Sequence, residues 1–527
     1  MIGLIMFGKQ RHTRRLLQIL LLFIAFTVLY CSMHLLTWPA TPICAVHTIR
    51  ADDIALRMIR DTGCHWVVQL LDWAEIEPLP GEYFWEYPDS LVRAADYYGL
   101  RLVIRLDHPP QWALDKAPAN GPPVLPADYA RFAGTVARRY RGQVRAYIVW
   151  NEPNLAREWG GRQPDPTAYA TLLQAAYHAI KDADPNALVV SAGLAPTNDV
   201  NQQALDDRLY LRGLYTAGAA PFFDVLGAHP YGFAYPPDDR HMAHDGLNFA
   251  RMLDLRQIMA DAGDATKRIW ATELGWTTTP VTPDQAWLQI SETQQATYLV
   301  GAFERARREW PWLQLIAVWN LSAHLPTDDE KRGYSVVNDD YQPRPAYQAL
   351  ATMPKPYPLS ERWLDLRHRL RPMSHTYEVL APDVVVRLGD VDTFYPHWAR
   401  IYGGQTPSRR WEGTFYARHP GHGPWLLTME AMQVEEQGNL VRINGRLLEP
   451  PAIPLRGKPD GTSNWTTVFM TVPAGVLHTG VNHIEVLLSP RLPAYQDKHA
   501  RYESMQFRNV RICKSATNCQ QLTVSCP

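Results

Sequence analysis

Between residues 45 and 319 the chain alternates short apolar runs with longer stretches of helical periodicity. The runs at 45–48, 66–71, 102–106, 146–150, 188–191, 225–228, 269–272 and 315–319 have the length of buried strands. The stretches at 53–62, 87–98, 126–140, 166–184, 248–262 and 292–310 read as amphipathic helices. Strands alternating with helices make βαβ units and a parallel sheet. Eight such strands in this length of chain fit a closed (β/α)8 TIM barrel better than an open sheet.

The pattern then changes. Pro354, Pro356 and Pro358 end the alternation, and beyond about residue 375 apolar and polar positions alternate in short pieces divided by turn residues. Examples are 425–430, 440–443 followed by Asn444-Gly445, 466–472 and 484–488. This is the pattern of an antiparallel β-sandwich. The chain is therefore expected to divide into four parts: an N-terminal basic stretch and membrane anchor (1–38), the barrel (39–355), a linker (356–375) and a C-terminal sandwich (376–527) that could bind carbohydrate.

The N-terminus reads as an anchor because Lys9, Arg11, Arg14 and Arg15 precede an apolar run from Leu16 to about Leu36. A bilayer needs about 20 apolar residues in a helix, whereas a removable secretory signal has a shorter apolar core and a small-residue cleavage site. The basic flank predicts a cytoplasmic N-terminus, a single-pass transmembrane helix and an extracytoplasmic remainder. Cysteine usage agrees with export. Five of the six cysteines lie beyond the anchor, none in a CxxC pair, so disulfides are expected rather than zinc. Cys44 and Cys64 sit just before the first two strands, which are neighbours in a barrel, and either form a disulfide or remain two small buried thiols. The balance of 52 basic and 53 acidic residues leaves no electrostatic footprint for nucleic acid.

In a TIM barrel the chemistry emerges at the carboxyl ends of strands. Strand four ends Trp150-Asn151-Glu152-Pro153-Asn154, and strand seven ends Trp270-Ala271-Thr272-Glu273-Leu274-Gly275-Trp276. A lone Glu at a strand end is usually a cap or a solvated ion pair. Two at one barrel mouth are the equipment of glycoside hydrolysis, one to protonate the leaving oxygen and one to attack the anomeric carbon.

The run Trp150-Asn151-Glu152-Pro153 resembles the strand-four signature of clan A glycoside hydrolases, the superfamily that holds families 5 and 39. The resemblance covers roughly residues 45–350 and takes in the segments DWAEIEPLPGEY after strand two and LDHPPQW after strand three. It implies that Glu152 is the acid/base, that Glu273 is the nucleophile, and that Asn151 hydrogen-bonds the sugar 2-hydroxyl. It also implies that Tyr231 touches the nucleophile with His229 nearby, the alternative being a packing pair, and that Trp319 is the platform under the sugar. Asp107 or His108 would meet sugar hydroxyls. No cofactor is implied. One departure is visible: many family 5 enzymes place an Arg at an early strand end near the nucleophile, and strand two offers none.

Other features read more plainly. His241 and His244 have no third ligand in their surroundings, so no metal is expected. Trp159 and Trp276 either line subsites or pack. Trp411, Phe415, Tyr416 and Trp425 could form a sugar platform or a sandwich core. Anchor, barrel and terminal β-domain together resemble family 39 relatives that process secreted exopolysaccharide. The expectation is a retaining glycosidase acting on β-linked oligo- or polysaccharide at the cell envelope. Its rival is a non-catalytic glycan-binding surface protein on a barrel scaffold.

Overall fold

The computed structural model describes residues 42–355 apart from 115–120, 280–282, 323–329 and 339–340. Farther along it describes 376–379, 386–388, 410–417, 420–421, 423–432, 439–449, 466–478, 480–488 and 505–514. The expected anchor and the linker lie outside the described residues. Among the described residues, no helix is long and apolar enough to cross a membrane.

Eight parallel strands close into a barrel in sequence order: β1 (Ile43–Thr48), β2 (Trp66–Asp72), β3 (Arg101–Asp107), β4 (Val144–Val149), β5 (Leu188–Ser191), β6 (Val225–Ala228), β7 (Arg268–Leu274) and β8 (Leu313–Val318). Closure runs from β8 back to β1 with Cys44 opposite Ile316. The α-helices of eight residues or more are α1 (Asp53–Asp61), α2 (Glu86–Tyr97), α3 (Pro126–Arg139), α4 (Pro166–Ala183), α5 (Asp207–Thr216), α6 (Met252–Asp261), α7 (Glu292–Glu309) and α8 (Pro345–Thr352), and a single turn, Trp73–Ile76, follows β2.

Local sequence explains the helix starts. Asp52 accepts from the Ala55 amide, Asp165 caps α4 with Pro166 in its first turn, and Ser291 with Gln294 forms a reciprocal capping box on α7. The sequence pattern missed α5, whose N-cap is Asp206, and α8. It also began the sixth helix too early: Asn248 starts a short 3-10 turn, Phe249–Arg251, that leads into α6.

Two apolar layers follow from strand alternation. Inside the barrel Ala45, Trp66, Val68, Val103, Ala146, Ile148, Val190, Trp270, Leu315 and Ala317 pack together. Trp66 and Trp270 meet edge-on at 5.7 Å. The opposite strand faces pack against the helices. Cys44 and Cys64 are bonded, with their Cα atoms 5.0 Å apart. Cys44 lies within β1 rather than before it, because the strand starts two residues earlier than its apolar run suggests.

Beyond residue 375 the strands are antiparallel. One sheet runs β10 (Val386–Leu388), β17 (Met505–Cys513), β12 (Trp425–Met432) and β15 (Thr466–Val472), with β9 (Thr376–Glu378) also on β17. The other runs β11 (Arg410–Ala417), β16 (Gly480–Leu487), β13 (Leu440–Ile443) and β14 (Arg446–Leu447). Val441, Ile443 and Ile484 of one sheet share a core with Leu427, Met470 and Phe507 of the other. Phe415 and Trp425 are buried in that core and Trp411 packs on it, so these three are packing residues rather than an open platform. The Tyr416 side chain lies outside what is described.

Candidate active site

The inward positions that are apolar low in the barrel become ionisable at its carboxyl end. On β1, Ala45 is followed two residues later by His47. On β3, Val103 is followed by Arg105 and Asp107. Around them lie Glu152 after β4, His229 after β6 and Glu273 near the end of β7, all at most 7% exposed.

Irregular backbone delivers the acid-bearing loop. Trp150 and Glu152 have φ of 72° and 35°, a region in which non-glycine residues cost about 1–3 kcal/mol each. Hydrogen bonds from the Trp150 amide to the Leu106 carbonyl and from the Glu152 amide to the Gly193 carbonyl, each 3.1 Å, hold this shape. Gly193 is needed for a second reason: a Cβ there would stand 2.2 Å from the His229 ring.

Glu273 is held on both oxygens. Arg105 Nη1 lies 2.7 Å from Oε1, and the Tyr231 hydroxyl donates to Oε2 at 2.6 Å. Arg105 also donates to Asn151 Oδ1 at 3.1 Å, tying the residue beside the acid to the nucleophile. His47 Nε2 approaches Glu273 Oε1 at 3.8 Å. Burial, helped by the charges of Arg105 and His229, holds its imidazole well below the usual histidine range, so it is neutral. Burial pushes the Tyr231 phenol upward, and Glu273 and Glu152 add to this, so it remains a proton donor.

His229 Nδ1 lies 2.9 Å from Glu152 Oε1 and 3.6 Å from Glu273 Oε2. Burial disfavours charge on both His229 and Glu152, but their mutual attraction outweighs it. The imidazole is pushed up, with Glu273 the largest contributor, and the Glu152 carboxyl is held down, with His229 the largest contributor. Arg157 Nη2 stands 3.6 Å from Glu152 Oε2.

The structure thus brings together Glu152, Glu273, Asn151, His229 and Tyr231. Trp319 follows β8, is buried, and meets His47 edge-on at 4.4 Å. Asp107 is buried 2.9 Å from Arg105 Nε and is a counter-charge to that Arg. His108 keeps a third of its side chain exposed, 3.3 Å from Asp72 and 3.4 Å from Asp107. Burial opposes its charge, but Asp107 and then Asp72 outweigh this and push it up to about 9.

The early-strand Arg sought on β2 is present on β3 as Arg105. Its signal was available, since an Arg inside an apolar strand, on the inward face, must have buried anionic partners. His47 carried the same signal on β1. Trp159 and Trp276 are buried and pack. His241 and His244 each pair with a separate carboxylate, Asp254 and Asp239, both at 3.2 Å, so they share no ligand set.

Ligand-type atoms of Glu152, His229 and Glu273 all lie within 4.8 Å of one another, a spacing that could also suit a metal ion. Both oxygens of Glu273 are already engaged by Arg105 and Tyr231, however, and those of Glu152 face His229 and Arg157. This cationic surround suits anionic carboxylates better than a metal.

No protein-family model and no curated protein sequence matches the chain. Similar solved structures include a family 39 glycoside hydrolase from the gut symbiont Bacteroides cellulosilyticus WH2, at 17% identity and TM-score 0.47 over 85% of this chain and 81% of that one. A glucosidase from Croceicoccus marinus is similar at 12% identity and TM-score 0.47 over 86% and 96% of the two chains. A xylanase from Paenibacillus barcinonensis is similar at 17% identity and TM-score 0.40 over 60% and 96%.

Proposed function

We propose that the chain is a retaining glycoside hydrolase that cleaves β-linked oligo- or polysaccharide at the cell envelope by double displacement. The observation that carries this reading is the approach of Glu152 and Glu273, one carboxylate oxygen of each lying within 4.8 Å of the other and of a His229 ring nitrogen. Retaining enzymes need their carboxyl groups about 5–5.5 Å apart, whereas inverting ones hold them about 6.5–9.5 Å apart to admit a water.

In this reading Glu273, oriented by Arg105 and Tyr231, attacks the anomeric carbon and forms a glycosyl-enzyme. The Glu152–His229 pair holds one proton across its 2.9 Å contact, and Glu152 is the member that delivers it to the leaving oxygen. Glu152 then takes a proton from the water that releases the sugar. Asn151 is fixed by Arg105 for the sugar 2-hydroxyl, an interaction that strengthens in the transition state. Trp319 lies beneath the sugar, and His108 reaches its hydroxyls from the rim.

Location at the envelope rests on the basic flank Lys9–Arg15 and the apolar run behind it. Protease added to intact cells should degrade the barrel; full protection with the membrane intact would overturn that orientation. The activity itself is tested by incubating the full-length protein with a panel of β-linked oligosaccharides. Turnover that is lost in Glu273→Ala supports the reading. Saturable glycan binding without turnover across the panel would favour a binding protein instead.

A further inference from the structure

Beside the acid-bearing loop lies an open cavity of about 290 Å³, lined by Gln163, Pro164, Val200, Asn201, Gln202 and Leu205. Its walls come from the loop after β4 and the loop after β5. A short ladder stitches the two together: Leu155 pairs with Ala204, the Ala156 amide donates to the Gln203 carbonyl at 2.7 Å, and the Leu205 amide donates to the Asn154 carbonyl at 2.9 Å. The Asn154 side chain is fully buried and clamps the same loops through Ala195 and Leu205. The ladder begins three residues from Glu152, whose own carbonyl accepts from the Leu155 amide at 2.9 Å. The cavity is therefore fixed relative to the acid/base.

Its lining is chemically narrow. None of the six side chains is charged. The Gln163 and Gln202 amides have no hydrogen-bond partner among the described residues. Asn201 commits its Oδ1 to the Gln203 and Ala204 amides, which leaves its Nδ2 to donate outward. Between these amides Val200 is 64% exposed, an apolar side chain turned to solvent in an otherwise polar loop. Neutral amides beside aliphatic surface match a neutral sugar, which offers hydroxyls at its edges and C–H groups on its faces.

We propose that this cavity is a subsite for the leaving-group portion of a neutral β-linked glycan. The inference rests on the hydrolase reading, because only there must the bond being protonated lie against Glu152 and its leaving sugar against the flanking loops. It narrows the substrate to a chain that extends beyond the cleaved bond.

The test uses the full-length protein and the Gln163→Ala/Gln202→Ala double variant, both sites being exposed. The readout is the ratio of kcat/KM on the best neutral oligosaccharide to kcat/KM on an aryl glycoside of the same terminal sugar. Two lost hydrogen bonds should lower this ratio about 5- to 30-fold. A ratio within about twofold of wild type, in a variant that still turns over both substrates, would overturn the subsite while leaving the hydrolase reading intact. A parallel titration of Glu273→Ala protein with the same oligosaccharide separates the two ideas. If wild type hydrolyses nothing but binding is weakened by the double variant, the cavity binds glycan, but the leaving-group assignment falls together with the hydrolase reading. Binding that is indifferent to the double variant overturns the subsite in either case.

Discussion

The floor and the mouth of the barrel are made by the same eight strands, yet what they turn inward is opposite. At the floor Trp66, Val68, Val103, Ile148, Trp270 and Leu315 fill the interior, and the Cys44–Cys64 bond ties β1 to the turn that enters β2. Towards and just beyond the carboxyl ends of these strands the barrel presents His47, Arg105, Asp107, Glu152, His229 and Glu273, every one buried. Desolvating an ion costs several kcal/mol even in a relaxed protein, so the mouth is a net expense that packing elsewhere must offset. Left-handed backbone at His108, Trp150 and Glu152 adds to it. The floor is organised for stability and the mouth for charge placement. Changes in the two regions should therefore separate cleanly into effects on folding and effects on turnover.

The largest effect is expected at the mouth. Glu273→Ala should lower kcat at least about a thousandfold while thermal unfolding moves little in comparison. Glu152→Ala should cost about 10²–10⁴-fold on substrates with poor leaving groups and far less on activated aryl glycosides, since only the former need protonation. Equal losses on both substrate types, measured by steady-state kinetics, would remove Glu152 from the acid role.

The floor should give the converse. The Cys44→Ala/Cys64→Ala variant opens a link between residues 20 apart in sequence and should lose about 3 kcal/mol of stability. Its kcat should change by no more than about twofold below the unfolding transition. A large fall in kcat in the folded variant would erase the distinction between the two regions.

The smallest effect sharpens the boundary at the rim. His108 titrates at about 9 in the folded protein against an ordinary value of 6.5. Folding therefore favours its protonated form. The stability this contributes is fully present below about pH 6.5 and is lost as pH rises through about 9. The stability of wild type relative to His108→Asn, from denaturant midpoints at pH 6, 8 and 10, should shrink across that series. A difference that grows with pH would mean that Asp72 and Asp107 do not hold the proton there.

Much of this was legible in the sequence where one periodicity dominates. All eight barrel strands and six of the eight longer helices fall where their hydrophobic period puts them, and both carboxylates emerge at strand ends as the barrel requires. Much of what escaped had a physical cause. Helix α5 is short, and its four buried residues include Asp207, so its apolar stripe is broken. Arg105 and His47 lie inside apolar strands, where their charge or polarity was read as a minor interruption rather than as an inward ligand. Asp107 ends its strand as expected, and its ion pair with Arg105 was not foreseen. The cavity between the loops after β4 and β5 depends on two segments meeting across 40 or so residues of chain, and no local pattern encodes such a meeting.

The central claim is that Glu273 acts as a nucleophile with Glu152 too close to leave room for an attacking water. The most direct measurement is proton NMR of the first product formed from an identified β-linked substrate, recorded before mutarotation. The account predicts that the β-anomer appears first and the α-anomer grows in later. Immediate appearance of the α-anomer would contradict it, because inversion in one step leaves Glu273 no covalent role.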